Sequence, residues 1–330
     1  MGNAVPDRNA LGRLGIWTRS FNFVPARVAA DAARFVEDLG FDTIWIGETG
    51  YREALTHAGV LLSATRRCVI GTGVASIWAR DPMATATAQL TLHDAHPGRF
   101  LLGLGVSHAG FVRRERGADY RRPVQAMTRY LDRMDSVVDR YEGHRPALRP
   151  ARLLAALRPR MLDLARTRAD GALSYLVPVS HTASARAALG PDRILCVEQG
   201  VILGDPADTL DFARAHLSRY LAMTNYRNSL LQCGFTAADL ADGGSARLVE
   251  ALLCRGDVDQ AAERVRSHLE AGADHVCLQV ISPAGQAPPM REWRLLASLR
   301  AAVASPPRTA RPTAGFPSRG PDRTPTPDGR

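Results

Sequence analysis

The 330-residue sequence predicts an α/β protein folded as a (β/α)8 TIM barrel. Three observations carry the prediction. Short β-rich apolar runs alternate with amphipathic helical stretches from about Leu14 to Val303. Glycines gather at the ends of the early strands. Eight such units close a ring more readily than they extend an open sheet. Strands separated by helices pair in parallel and are buried on both faces, which suits their apolar character.

Leu14–Trp17 reads as the first strand, and Pro25–Leu39 as a helix with Pro in its first turn and Gly40 as its stop. Phe41–Ile46 is the second strand and Arg52–Thr65 the second helix. Cys68–Val74 and Phe100–Leu104 are strands three and four, with helices at Met83–Ala95 and Pro123–Tyr141. Strands five to seven fall at Leu153–Leu157, Ala172–Val177 and Ile194–Val201, each followed by a helix, at Pro159–Arg168, Thr182–Leu189 and Pro206–Ala222. A helix from Ala237 and another over Asp259–Ala271 lead to the eighth strand, His275–Ile281. Met290–Val303 is the last helix. The barrel domain spans residues 13–304, residues 1–12 are expected to be flexible, and 305–330 to form a disordered tail. That tail holds seven of the 21 prolines and almost no large apolar residue.

The formal net charge is +9, and all 42 basic residues are Arg. An absence of Lys is a bias of the whole chain rather than of one site. Five Arg against two Asp lie in the tail, and elsewhere Arg alternates with acids instead of gathering with aromatics. The charge therefore does not argue for nucleic-acid binding. Five Cys show no metal spacing, and His93 and His96, three apart, sit where a helix ends at Pro97-Gly98, so no metal site is expected. Nothing resembles a signal peptide or a membrane span, and a cytoplasmic protein with no membrane partner is expected.

Barrel chemistry sits at the C-terminal ends of strands. Here those ends read Gly47-Glu48-Thr49-Gly50, Gly71-Thr72-Gly73-Val74-Ala75-Ser76 and Gly103-Leu104-Gly105-Val106-Ser107-His108. Neither of the last two completes a dinucleotide fingerprint, since each lacks the third glycine. Such glycines let backbone approach a flat ligand; tight packing at strand ends is the other explanation. His108 can be a proton donor or a solvated loop residue. Arg113, Arg114, Arg116, Arg121 and Arg122 form either a cationic rim or a solvated surface. Ser174-Tyr175 and the helix start at Ser180-His181-Thr182 can hold a phosphate, although Thr182 can equally cap its helix.

The run Phe41-Asp42-Thr43-Ile44-Trp45-Ile46-Gly47-Glu48, the Gly71-Thr72-Gly73-Val74 strand, the Arg80-Asp81-Pro82 turn and His96-Pro97-Gly98-Arg99-Phe100-x-Leu102-Gly103-x-Gly105 together resemble the luciferase-like monooxygenase superfamily. Gly272-Ala273-Asp274-His275-Val276 and Asp170-Gly171-Ala172 resemble its coenzyme F420 branch. The resemblance implies a luciferase-like barrel, a homodimer, and hydride transfer between the deazaflavin and a small-molecule substrate. It also implies a non-proline cis peptide on strand three, at Gly73–Val74. Sugar-phosphate-oxidising relatives carry an Asp-His pair after strand two; Glu48-Thr49 stands here, which favours an activated alkene or a carbonyl/alcohol substrate. Cofactor-binding residues are expected at Glu48, Gly73, Val74, Ala75, Ser76, Gly105, Val106, Ser107, His108, Ser174 and Tyr175, with His108 and Glu48 catalytic. An FMN-dependent monooxygenase and a catalytically silent cofactor-binding barrel are the alternatives.

Overall fold

The computed structural model describes residues 11–282 and 286–303. The expectations for residues 1–10 and the tail lie outside them. Ten parallel strands make one sheet: β1 Leu14–Thr18, β2 Thr43–Ile46, β3 Val69–Thr72, β4 Ala75–Ser76, β5 Phe100–Gly105, β6 Arg152–Ala155, β7 Gly171–Ser174, β8 Ile194–Leu203, β9 Leu253–Gly256 and β10 His275–Val280. The order runs β10-β1-β2-β3-β5-β6-β7-β8, and β8 pairs with β10 through His275↔Cys196 and Cys277↔Glu198. That last pairing closes an eight-stranded barrel. β4 is a short continuation of the third strand against β5, and β9 adds to the far end of β8.

Strand pleating sorts side chains into two cores, because alternate residues face opposite sides. Ile16, Ile44, Ile70, Leu102, Leu154 and Leu195 point outward against the helices. Trp17, Trp45, Leu101, Leu153, Leu173, Cys196 and Cys277 fill the barrel interior. Low in the barrel, the Trp45 indole N–H donates to His275 Nε2 at 3.0 Å, while His275 Nδ1 lies 3.0 Å from the Gly12 carbonyl. Only a neutral ring protonated on Nδ1 satisfies both contacts.

The helices are α1 Ala26–Asp38, α2 Ala54–Ala64, α3 Pro82–Ala95, α4 Ala109–Arg116, α5 Pro123–Asp139, α6 Pro159–Arg168, α7 Val179–Leu189, α8 Pro206–Leu221, α9 Thr224–Gln232, α10 Ala246–Leu252, α11 Val258–Glu270, α12 Met290–Leu296 and α13 Leu299–Val303. Local chemistry starts several of them. Asp81 accepts from the N–H groups of Met83 and Ala84 ahead of α3, and Asp257 and Gln260 form a capping box on α11.

The structure departs from the sequence reading between β8 and β10. Residues 237–240 form turns, and between α8 and β9 the helices are α9 and α10. Thr224–Gln232 is too polar to show a clear helical stripe, and it buries only Tyr226, Ser229 and Leu230. β9 was hidden inside a Leu/Ala-rich run of helical character. α4 occupies what the sequence offered as a loop. Helices α8 to α10 and β9 enclose a second apolar core containing Leu217, Tyr226, Leu230, Leu248 and Leu253. The 204–256 segment is thus an insertion that packs onto the barrel through Leu176, Ile202 and Ile281.

Candidate active site

The inward-facing residues nearest the C-terminal ends of the strands define the barrel mouth. Gly47, Gly73, Gly105 and Ala155 lie on one side, on or just beyond β2, β3, β5 and β6. Trp17, Tyr175, Glu198 and Gln279, on or just beyond β1, β7, β8 and β10, form the other. One half of the mouth has almost no side chains; the other is large and polar.

The missing side chains are compensated mainly by protein atoms. A Cβ at Gly73 would lie 2.6 Å from Trp17 Nε1, and one at Gly71 2.5 Å from the Trp45 ring. A Cβ at Gly103 would meet the Thr72 carbonyl oxygen at 2.0 Å, and one at Gly105 would meet Val74 Cγ2 at 2.4 Å. Close packing, rather than direct approach to a ligand, therefore explains these four glycines. Gly71 and Gly73 make room for the two tryptophans, and Gly103 and Gly105 seat the Val74 side chain across the β5 backbone as a ridge. The Gly73–Val74 peptide bond is cis. Hydrogen bonds from Gly73 N to Ile46 O (2.7 Å) and from Trp17 Nε1 to Gly73 O (3.0 Å) fix the segment on both sides.

Glu48 supports this ridge from behind. Its Oε2 accepts the Ser76 N–H at 2.7 Å, and its Oε1 pairs with Arg80 and accepts weakly from Ala54 N at 3.4 Å. Its side chain is only 3% exposed, and Arg80 also bridges to Glu53 at 2.7 Å. Both carboxylate oxygens are thus engaged with the protein, a geometry suited to positioning. Ala75 and Ser76 are buried beside it. Ser174 is fully buried and donates to the Ala156 carbonyl at 3.0 Å, so its hydroxyl is spent on neighbouring backbone.

Val106, Ser107 and His108 emerge half-buried beyond β5. Ser107 has φ +55°, a left-handed conformation rare for a side-chain-bearing residue and found most often at functional turns. Two aromatic donors brace the turn: Trp78 Nε1 to Val106 O at 2.8 Å and Tyr120 Oη to Ser107 O at 2.9 Å. His108 precedes α4 without capping it, and its ring packs 5.3 Å from that of Tyr226. Burial there lowers its pKa, so at neutral pH it is an uncharged imidazole. That suits accepting a proton better than the donor role read from the sequence.

Tyr175 connects the two halves. Its ring lies 5.3 Å from Trp17 and 5.8 Å from Tyr220, and its hydroxyl reaches Tyr220 Oη and Gln279 Oε1, each at 2.8 Å. Burial raises the Tyr175 and Tyr226 hydroxyls well above their usual pKa, so both are neutral. The arginines of the sequence cluster separate. Arg113, Arg114 and Arg116 occupy the last turn of α4, where cations complement the helix dipole. Arg121 and Arg122 line a rim groove of about 960 Å³ together with Trp78, Arg129 and Arg133. His181 and Thr182 are buried in bonds to Leu157 O and His268, away from any phosphate role.

The sequence reading missed Trp17, Arg19, Glu198, Tyr220, Tyr226 and Gln279. Glu198-Gln199 carried a usable signal, since an acid and an amide interrupt the otherwise apolar run of β8. The tyrosines gave none, because their place depends on how the insertion folds back.

The luciferase-like monooxygenase family model matches residues 10–275. The chain belongs to that family. A Mycobacterium tuberculosis protein named as a coenzyme F420-dependent oxidoreductase is 34% identical over 120 residues, 36% of this chain and 35% of its own length. The curated relatives are thus matched over about a third to a half of their length. An F420-dependent secondary alcohol dehydrogenase, solved with an F420-acetone adduct, shares this luciferase-like fold with a TM-score of 0.70. It is 15% identical, and the alignment covers 89% of this chain and 99% of that one. The FMN-bound oxygenating constituent of 3,6-diketocamphane monooxygenase, from a Pseudomonas putida plasmid, aligns with a TM-score of 0.63 at 14% identity, over 89% and 99%.

Proposed function

We propose that this luciferase-like protein is an F420-dependent oxidoreductase acting on a small carbonyl/alcohol pair or an activated alkene. The observation that carries the reading is a buried donor at the mouth. Arg19 Nε, two residues beyond the inward-facing Trp17, has no hydrogen-bond partner among the described residues. A buried donor without a partner costs about 1–3 kcal/mol. A bound, acceptor-rich ligand would remove that cost, and a deazaflavin carries ring carbonyls and a phosphodiester. The mycobacterial relative named for F420 supports the deazaflavin over FMN.

In this reading Val74 supports the ring, while Gly73, Val106, Ser107 and Tyr175 border it. Bound there, the deazaflavin supplies or takes up a hydride. Gly105, Ala75, Ser76 and Glu48 hold the ridge in place. His108, uncharged at neutral pH, takes the proton of an alcohol during oxidation and returns it during reduction. The aromatic wall of Tyr175, Tyr220 and Tyr226 excludes water from the reacting carbon.

Parallel fluorescence titrations with F420 and FMN test the assignment. F420 binding at least tenfold tighter than FMN is the expected result. Preference for FMN would assign the protein to the monooxygenase reading. Binding of F420 without turnover over a panel of alcohols, ketones and enones would leave the silent barrel.

A further inference from the structure

Glu198 has no part in the reading so far, yet it is the most unusual acid of the barrel. Its place on β8 directs it into the mouth, one inward position above Cys196, and it is 2% exposed. Its Oε2 accepts the Leu176 N–H at 3.0 Å. Leu176 is held at φ +55°, a left-handed conformation that it shares with Ser107 across the mouth. Among the described residues, Oε1 has no hydrogen-bond partner, and no arginine or histidine pairs with the group. The titratable groups on which its charge would act are Tyr175 beyond β7, Tyr220 on α8, Tyr226 on α9 and Cys277 on β10.

The geometry points to Glu198 as a hydrogen-bond donor to a ligand oxygen, so that the polar wall is a subsite for a carbonyl, enol or alkoxide oxygen. The inference builds on the mouth assigned above but needs no bound cofactor. With Oε2 receiving a backbone N–H, the carboxyl proton belongs on Oε1, the oxygen left for a ligand. Burial pushes the group up to about 8, so it keeps that proton at neutral pH. The same environment moves His108 in the opposite direction, and such a divergence separates the donor from the acceptor in acid–base sites. A neutral acid in an apolar, tyrosine-lined pocket stabilises negative charge on oxygen without placing a competing charge beside it. A bound carboxylate or phosphate has less use for a single neutral donor. The substrate class that fits is a ketone, an enone or their alcohols.

The test uses the whole protein without cofactor, and 4-nitrophenol as a probe whose oxygen carries partial negative charge. Infrared difference spectra on wild type should contain a protonated-carboxyl band at pH 7. That band should be absent in Glu198→Gln and should shift when the phenol binds. A band already lost below pH 5, or one that the phenol leaves unmoved, overturns the inference. Phenol affinity should stay within about threefold in Glu198→Gln, which keeps an N–H donor, and fall at least about tenfold in Glu198→Leu. Equal affinity for wild type and Glu198→Leu overturns it. If Glu198→Leu fails to fold, the wild-type band shift and the Gln variant decide the matter. None of these readouts involves F420, so they stand or fall separately from the titration that tests the cofactor.

Discussion

Acidification should unfold this protein steeply, because the barrel and its surroundings bury several histidines in the uncharged state. His57, His216, His268 and His275 are each at most 7% exposed. Burial lowers their pKa values to about 4, 3, 3 and 4. Two of their contacts need an unprotonated ring nitrogen: His275 accepts from Trp45, and His216 Nδ1 accepts from Arg219 Nη2. An unfolded chain protonates these rings near pH 6.5, so their contribution is present above that value and lost as pH falls toward 4. Glu198 acts in the opposite sense. Its folded pKa is raised, so its contribution is full below 4.5 and lost as pH rises through about 8. Near pH 5.5, four protons are taken up on unfolding and one is released, a net of three. Each proton changes stability by about 1.4 kcal/mol per pH unit, giving a slope of roughly 4 kcal/mol per unit. A domain stable by about 5–15 kcal/mol would lose most of that between pH 6.5 and 4.5. Urea unfolding followed by tryptophan fluorescence at half-unit pH steps measures the slope. A free energy constant within about 1 kcal/mol from pH 6.5 to 5 would refute the argument.

Three further outcomes are expected. His108→Ala should lower kcat by about 10²–10⁴-fold with F420 affinity little changed, and should remove the acid limb of the pH profile; a wild-type rate and profile would make it a lining residue only. Gly105→Ala places a methyl 2.4 Å from Val74 Cγ2. It should cost about 1–3 kcal/mol in denaturant unfolding and weaken F420 binding at least tenfold; unchanged affinity would mean that the Val74 ridge does not support the ring. Glu37, buried and accepting from the N–H groups of Arg66, Arg67 and Cys68, has a lowered pKa despite the cost of burial. Glu37→Gln should cost about 1–3 kcal/mol, and a chain that loses nothing would show that these amides find other partners.

Apart from α4 and the two-residue β4, the strand and helix order was legible from Leu14 to Leu203 because each element there has a pattern of its own. Apolar runs mark the longer strands from β1 to β8, Asp81-Pro82 marks the start of α3, and Gly40 ends α1. Between Gly204 and Gly256 the elements are short and stabilised by one another, so residues 237–240 looked helical and Tyr226 went unnoticed. The site was legible on its glycine side for a related reason. Gly73, Gly103 and Gly105 are visible in one dimension, although their use, making room for Trp17 and Val74, is not. His108 was found by its position after β5. The direction of its pKa shift was not, because burial beside Tyr226 is a tertiary fact. Glu48 was found too, but its two oxygens are occupied by partners as distant in sequence as Arg80.

The two sides of the mouth come from separate stretches of chain. Residues 47 to 155 build the ridge side and its bracing, whereas the facing wall is drawn from Trp17 and positions 175 to 279, and its outermost tyrosines ride on a segment whose apolar core also takes in Leu176, Ile202 and Ile281. That segment is joined to the barrel along β9, which lengthens β8 in register from Gly200↔Leu253 to Leu203↔Gly256. Under the proposed function, an exchange of the 204–256 segment would replace Tyr220 and Tyr226, and with Tyr226 the ring packed on His108, while leaving the Val74 ridge in place. In that reading the outer wall is a portable part of the chain, and His108 is the point at which it meets the ridge side.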